Sequence, residues 1–397
     1  MTKEIPFSKV LEALLDDSTP LHPRYLYRLS DLGSENLAPL AEAWEHVSPR
    51  RRQAVMEDLF DLAESDLLLS FEAVCNLALA DPNPYVRTQA IRVLNEYENP
   101  AYLSNFLRLV EHDPDDDARA AAASALAAFV YQGEVDEIPP ERLHTVEECL
   151  LGLVNSQEAP LLRQKALEAL GFSSRPEVNP LIEAAYHSDD PAWLASALNA
   201  MGRAVDARWK KPVLDMLDHL HPAVRAEAAS AAGELGIAAA RRPLIKMLDD
   251  HDADVRAAAI WALSQIGGEG VRSRLERLLA HTEEDDEVDL IQSALDNLSL
   301  TEEGLGFTLL DLDEPDLEDE EALIIEEIPD DEEDEDQEEE EEEEEEDVLR
   351  KLLGNEEDDE DLPESLDDED EEDEEEDDLR EFLDDDEEED DDEDDLD

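Results

Sequence analysis

Nine histidines and two cysteines are the side chains of this 397-residue sequence best suited to metal or nucleophile chemistry, and their placement argues against both uses. His112, His187, His219, His251 and His281 each fall near the end of a helical apolar pattern, in successive stretches of chain. Helices packed side by side are about 8–10 Å apart, whereas each nitrogen on a shared zinc must lie about 2.0–2.1 Å from it, so these histidines cannot share one ion. A histidine in a last helical turn is expected instead to cap carbonyls and complement the helix dipole. Cys75 and Cys149 lie in helical apolar patterns, where buried thiols are expected rather than a disulfide or a metal pair. There is no glycine-rich phosphate loop, no Gly-x-Ser-x-Gly elbow and no zinc-spaced cysteine pair. The reading is a protein without catalytic, cofactor-binding or metal-ligating residues.

Binding residues are better represented, and they are placed by a repeat. A turn rich in Asp, Asn, His and Pro is followed by an aliphatic residue and usually an Arg, with an Ala four residues after the aliphatic and a second large aliphatic four further on. The pattern reads Val86-Arg87 with Ala90 and Leu94, Ala118-Arg119 with Ala122 and Leu126, and Leu162-Arg163 with Ala166 and Leu170. It continues as Trp193-Leu194 with Ala197 and Met201, Val224-Arg225 with Ala228 and Ala232, and Val255-Arg256 with Ala259 and Leu263. From Arg163 through Leu194 and Arg225 to Arg256 the step is 31 residues, room for two short helices and two turns. Positions i, i+4 and i+8 form one stripe, the expected buried face of the second helix, and the small Ala lets neighbouring helices approach. Pro82, Pro114, Pro160, Pro191 and Pro222 are expected at helix starts, with Asp81, Asp113 and Asp190 placed to cap.

Six positions after the first aliphatic, the second helices carry Arg92, Ser124, Glu168, Asn199, Ser230, Trp261 and Asp296, a column on the face away from the buried stripe. Arg92, Glu168, Asn199 and Trp261 are its candidate partner-binding members. Trp261 is either a partly exposed interaction anchor or a ring lying against a neighbouring helix. The column three positions after the aliphatic is mixed in charge, so nucleic acid in this groove is not expected.

These residues resemble the HEAT repeat family, especially the short repeats of phycobilin-lyase-like proteins. The resemblance spans residues 34–300 in about eight units and implies an all-α fold, an α-solenoid of helix pairs. Residues 1–33 would form a non-repetitive helical cap. Gln132 to Pro140 breaks the period as an acidic loop. In HEAT-like folds the Arg column pairs with acidic turn residues of adjacent units, so the resemblance implies a structural ladder of Arg87, Arg119, Arg163, Arg225 and Arg256, interrupted at Leu194. HEAT-like iron hydroxylases hold metal through His-Glu steps. No histidine here precedes Glu, so that activity is not implied. A phycobilin-lyase-like enzyme is the alternative that the repeats alone leave open.

Residues 301–397 hold 62 acidic and 3 basic side chains, with nine consecutive glutamates from Glu338 to Glu346. Such a segment cannot bury enough apolar surface to offset its repulsion and ordering entropy, and a disordered acidic tail is expected. It carries −59 of the total charge of −84, leaving −25 on residues 1–300. Both parts repel a nucleic-acid backbone, so the expected partner is a basic protein, bound without direct nucleic-acid contact. A regulator that mimics nucleic acid is a further alternative. Short apolar clusters interrupt the acid, and Val348, Leu349, Leu352, Leu353, Leu379, Phe382 and Leu383 are spaced to fold as one or two helical turns in a partner's groove. Met1-Thr-Lys-Glu-Ile-Pro has no basic stretch leading into an apolar one, and no segment is apolar enough to span a membrane, so a soluble, cytoplasmic scaffold or adaptor is expected. Oligomeric state is left open.

Overall fold

The structure is a computed structural model that describes residues 5–308, apart from 67, 98 and 283. Among the described residues the regular structure is entirely helical. Two short α-helices, Phe7–Leu15 and Pro23–Leu26, precede eight helix pairs. The first helix (A) and second helix (B) of units 1 to 4 are Ser34–Trp44 and Pro49–Ser65, Glu72–Ala78 and Pro84–Asn95, Leu103–His112 and Asp116–Glu134, and Pro140–Val154 and Pro160–Leu170. Those of units 5 to 8 are Val178–Tyr186 and Pro191–Arg203, Lys210–Asp215 and Pro222–Glu234, Arg241–Met247 and Ala253–Ile266, and Val271–His281 and Asp285–Thr308. The B helices of units 2 to 8 pack on their own A helices, and every B helix packs on the B helix of the neighbouring unit, giving an α-solenoid with a continuous B layer. No described helix is long and apolar enough to cross a membrane.

The alanine column makes the close B-to-B packing possible. Ala90, Ala122, Ala166, Ala197, Ala228 and Ala259 are all fully buried, as are the aliphatic residues Leu126, Leu170, Met201 and Leu263 one turn later. Truncating one of these leucines to Ala would cost about 2–5 kcal/mol through lost transfer energy and the cavity left behind.

The B helices begin where proline supplies a first residue with no amide to satisfy, at Pro49, Pro84, Pro160, Pro191 and Pro222. Pro82 and Pro114 instead precede the helix in the turn, contrary to the sequence expectation. The caps move with them. Asn83 accepts from the Tyr85 amide and Asp115 from Ala118, while Asp190 caps as expected through Ala192. Asp81 and Asp113 lie further back and accept from the amides of Asn83 and Asp115, closing the A–B turn rather than capping the helix.

The long step between Arg119 and Arg163 is absorbed by longer helices. The B helix of unit 3 has 19 residues and runs through Gln132 to Glu134, so the expected loop is half helix. The A helix that follows has 15 residues.

Candidate functional site

The A–B turns and the arginines near most B-helix starts form a ladder of charge-assisted contacts between units. Arg87 donates through Nε and Nη2 to the two carboxylate oxygens of Asp113 in the next turn, with Nε 2.8 Å from Oδ2. Arg225 does the same to Asp250, at 2.8 Å for both contacts. In each case Nη1 also donates to a carbonyl of its own turn, Asp81 or His219. Arg119 takes a different pose, donating Nε to Val110 and Nη1 to Glu158 of unit 4. Arg256 reaches Glu287 at 2.7 Å. A planar guanidinium facing a carboxylate gives two parallel contacts and fixes the angle between units.

Arg52 is a rung that sequence reading missed. Its Nε lies 2.8 Å from Asp81, and the two side chains are only 7% and 0% exposed. Asp81 also accepts from the indole of Trp44. The signal was available, since Arg52 follows Pro49 by three residues as Arg87 follows Pro84 and Arg225 follows Pro222.

The break in the ladder covers two junctions rather than one. At the junction of units 5 and 6, Leu194 replaces the arginine and His219 occupies the turn position held by Asp in units 2, 3 and 7. Between units 4 and 5, Arg163 is present, but Ser188 occupies that position. Arg163 donates Nε to the Val154 carbonyl and lies over the Trp193 ring at 5.1 Å, and among the described residues no carboxylate pairs with it. Ser188 and His219 still close their turns, accepting from the amides of Asp190 and His221.

A groove of about 660 Å³ runs across the B helices of units 1 to 4. Its floor includes Ala120, Ala121 and Ser124, and its sides include Tyr85, Leu161 and Phe60. Tyr85 and Leu161 are large side chains left 39% and 42% exposed. Tyr85 donates to Glu57 and accepts from Gln89, which fixes the ring. Arg92, Lys165, Glu96, Asp115 and Asp117 give the walls both signs of charge.

A family model of HEAT repeats matches residues 71–150 and 210–296. These two stretches of the chain are HEAT repeats. Among similar solved structures are the complex of CpcE and CpcF of phycocyanin lyase from Nostoc sp., at 17% identity with a TM-score of 0.46 over 75% of this chain and 99% of that one. Human deoxyhypusine hydroxylase in complex with glycerol matches at 19% identity and a TM-score of 0.31, covering 66% of this chain and 95% of that one. Importin beta matches at 15% identity and a TM-score of 0.35, covering 76% of this chain and 46% of that one. No curated protein matches.

In this HEAT-repeat chain the binding column divides by environment. Arg92, Asp296 and Trp261 are exposed, Trp261 at 36%. Its ring nevertheless lies on the unit 6 helix, where a Cβ added to Gly233 would meet the ring at 2.6 Å, so the ring is both partly exposed and packed against a neighbouring helix. Glu168 is buried, and its two carboxylate oxygens accept from Ser196 and from Lys165, each at 2.7 Å. Asn199 donates to Glu227 at 3.2 Å, while its buried Oδ1 has no hydrogen-bond partner. Burial raises the Glu227 carboxyl above its ordinary range. The hydrogen bond from Arg225 holds Asp250 below it.

Small residues bring the middle helices together. A Cβ on Gly171 would lie 2.8 Å from the Ala200 backbone, and one on Gly202 would lie 3.0 Å from that of Ala231. Gly233 stands the same way against Ala262 at 2.9 Å. The glycines recur at the 31-residue step, whereas the corresponding register positions of units 1 and 2 carry Phe60 and Asn95, which line the groove.

Neither cysteine is paired. Burial pushes the Cys75 thiol far up and the Cys149 thiol up to about 11. Among the described residues no three His, Cys, Asp or Glu side chains gather as a metal-holding group. His281 contacts the Arg277 carbonyl through Nδ1, the expected capping contact, whereas the same atom of His219 accepts an amide. The apolar candidates Val348, Leu349, Leu352, Leu353, Leu379, Phe382 and Leu383 lie outside the described residues.

Proposed function

We propose that this HEAT-repeat protein is a non-enzymatic, cytoplasmic scaffold that holds a basic protein partner. The reading rests on the groove of units 1 to 4, where Tyr85 and Leu161 stay exposed beside Asp115 and Asp117. Amphipathic aromatic rings near a small-residue floor suit a protein partner, because a rigid ring contributes area at little entropic cost. Residues 301–397 bring a charge of −59 to the same chain. That charge concentrates basic partners near the solenoid and raises their association rate, while the groove supplies shape selection. With a Debye length of about 8 Å at physiological salt, the charge contribution fades as salt is added.

Affinity capture with the full chain and with a chain ending at Leu300 tests the reading. Retention of basic proteins by the full chain, reduced by the deletion and by salt, is the expected result. Equal retention by both forms would reject the role given to the acidic segment. A bound chromophore seen as visible absorbance, or release of a nucleic acid duplex from the captured partner, would favour the enzyme and the mimic respectively.

A further inference from the structure

The missing rung between units 4 and 5 opens onto a cavity of about 360 Å³, lined among others by Val154, Arg163, Leu167, Leu181, Ser188 and Trp193. We propose that this cavity is a carboxylate-binding site, in which the ligand's carboxylate takes the place of the absent rung aspartate and its apolar body lies against Leu167, Leu181 and Trp193.

The repeat supplies the template. At two intact rungs the guanidinium donates in parallel to an aspartate three residues before the next B helix, in the pairs Arg87–Asp113 and Arg225–Asp250. That aspartate performs two tasks, since Asp113 and Asp250 also close their turns by accepting the amides of Asp115 and Asp252. Ser188 keeps the turn contact, through Oγ and the Asp190 amide at 3.2 Å, and has no carboxylate to offer Arg163.

Arg163 is held ready for such a group. Its Nε is anchored on the Val154 carbonyl, the Trp193 ring lies against the guanidinium at 5.1 Å, and its Nη donors have no protein acceptor among the described residues. Stacking on an indole restricts the plane of the fork, which favours planar, two-point recognition of a carboxylate. One cation balances one carboxylate. A doubly charged phosphate would leave a charge unpaired against apolar walls in a body that already carries −25. The cavity lies near the lower end of the roughly 300–1,000 Å³ range of ligand pockets, which suits a short branched acid or the terminal residue of a peptide.

The test uses the full chain and its R163Q and S188D variants, with isobutyrate, isobutyramide, inorganic phosphate, and a tetrapeptide ending in a valine carboxylate or in the matching amide. Melting and calorimetric titrations are run at constant ionic strength. Isobutyrate, the acid peptide or both should bind the wild type saturably, with the peptide arm separating a protein terminus from a small acid. The two amides and phosphate should not bind. Both variants should weaken binding by roughly 10- to 100-fold, the range for loss of a charge-assisted pair. S188D should also melt above the wild type without ligand, because it supplies the rung from within. Absence of binding by both acids, affinities unchanged by R163Q and S188D, or equal binding of the amides or phosphate would each overturn the proposal.

Discussion

Units 1 to 3 and units 4 to 6 fasten neighbouring repeats by different means. The first group uses ion pairs across the turns, Arg52–Asp81, Arg87–Asp113 and Arg119–Glu158. The second lacks two such pairs and brings helix backbones together at Gly171 and Gly202, with Glu168 and Ser196, and Asn199 and Glu227, joined across the helices. A turn-side ion pair fixes an angle at one end of a unit and leaves the opposite face free to vary. Contact between helix backbones fixes separation and leaves no room for bulky side chains. The groove accordingly reaches unit 4 through Leu161 and Lys165 and has no lining residue beyond it.

The largest expected effect that tests this contrast is Asp81→Ala. It leaves the buried Arg52 guanidinium without its carboxylate and the Trp44 indole without its acceptor, and should cost about 3–5 kcal/mol in chemical denaturation. The matching change Ser188→Ala removes only a turn contact and should cost about 1 kcal/mol or less. Similar losses at both positions would remove the distinction.

Gly171→Val probes the other fastening. The added side chain meets the Ala200 backbone, which has no rotamer to change, so destabilisation of about 1–3 kcal/mol is expected despite better helix propensity. Asn95→Val, at the same register facing the groove, should stay within about 0.5 kcal/mol.

Opposite pH slopes provide a finer test. Asp250 titrates low in the folded state, so its contribution is present above the unfolded carboxyl value of about 3.9 and is lost as pH falls through the folded one. Glu227 titrates high, so its contribution is present below the unfolded value of about 4.3 and is lost as pH rises through the folded one. Melting temperatures should show the wild type losing its lead over Asp250→Asn as pH falls below about 4, and Glu227→Gln gaining on the wild type as pH rises above about 4. Parallel curves would contradict the assignment. The groups facing Glu227 are Glu168, Lys165, Arg203 and Glu234; Lys165 favours the ionised carboxylate, so the gain should grow if Lys165 is neutralised.

The smallest expected change is at the third rung. Glu158 is partly exposed where it meets Arg119, so Glu158→Gln should lower the melting temperature slightly at low salt and leave it unchanged at high salt.

Much of the fold was legible because a solenoid repeats its physics. One 31-residue step with Ala at a fixed place in each copy specifies which helix faces are buried, and every member of that column from Ala90 to Ala259 is buried. The candidate site was less legible. Arg52 is in a degenerate copy whose basic run obscured the Pro-plus-three spacing. Asp81 and Asp113 resemble helix caps in one dimension, but a second proline or an additional aspartate moves the helix start past them. Glu168 and Asn199 share a column with Arg92 and Trp261, yet the spacing of their neighbours buries Glu168 and leaves Arg92 exposed.

Periodicity and charge alone determined that the chain is built of stacked helix pairs and that residues 301–397 concentrate the negative charge, because both follow from local composition and spacing. Only the tertiary structure decided which arginines find carboxylates, where the backbones touch and where a groove or cavity remains. Each of those depends on the distance between residues about 25 to 40 positions apart, and the register of packed helices sets that distance.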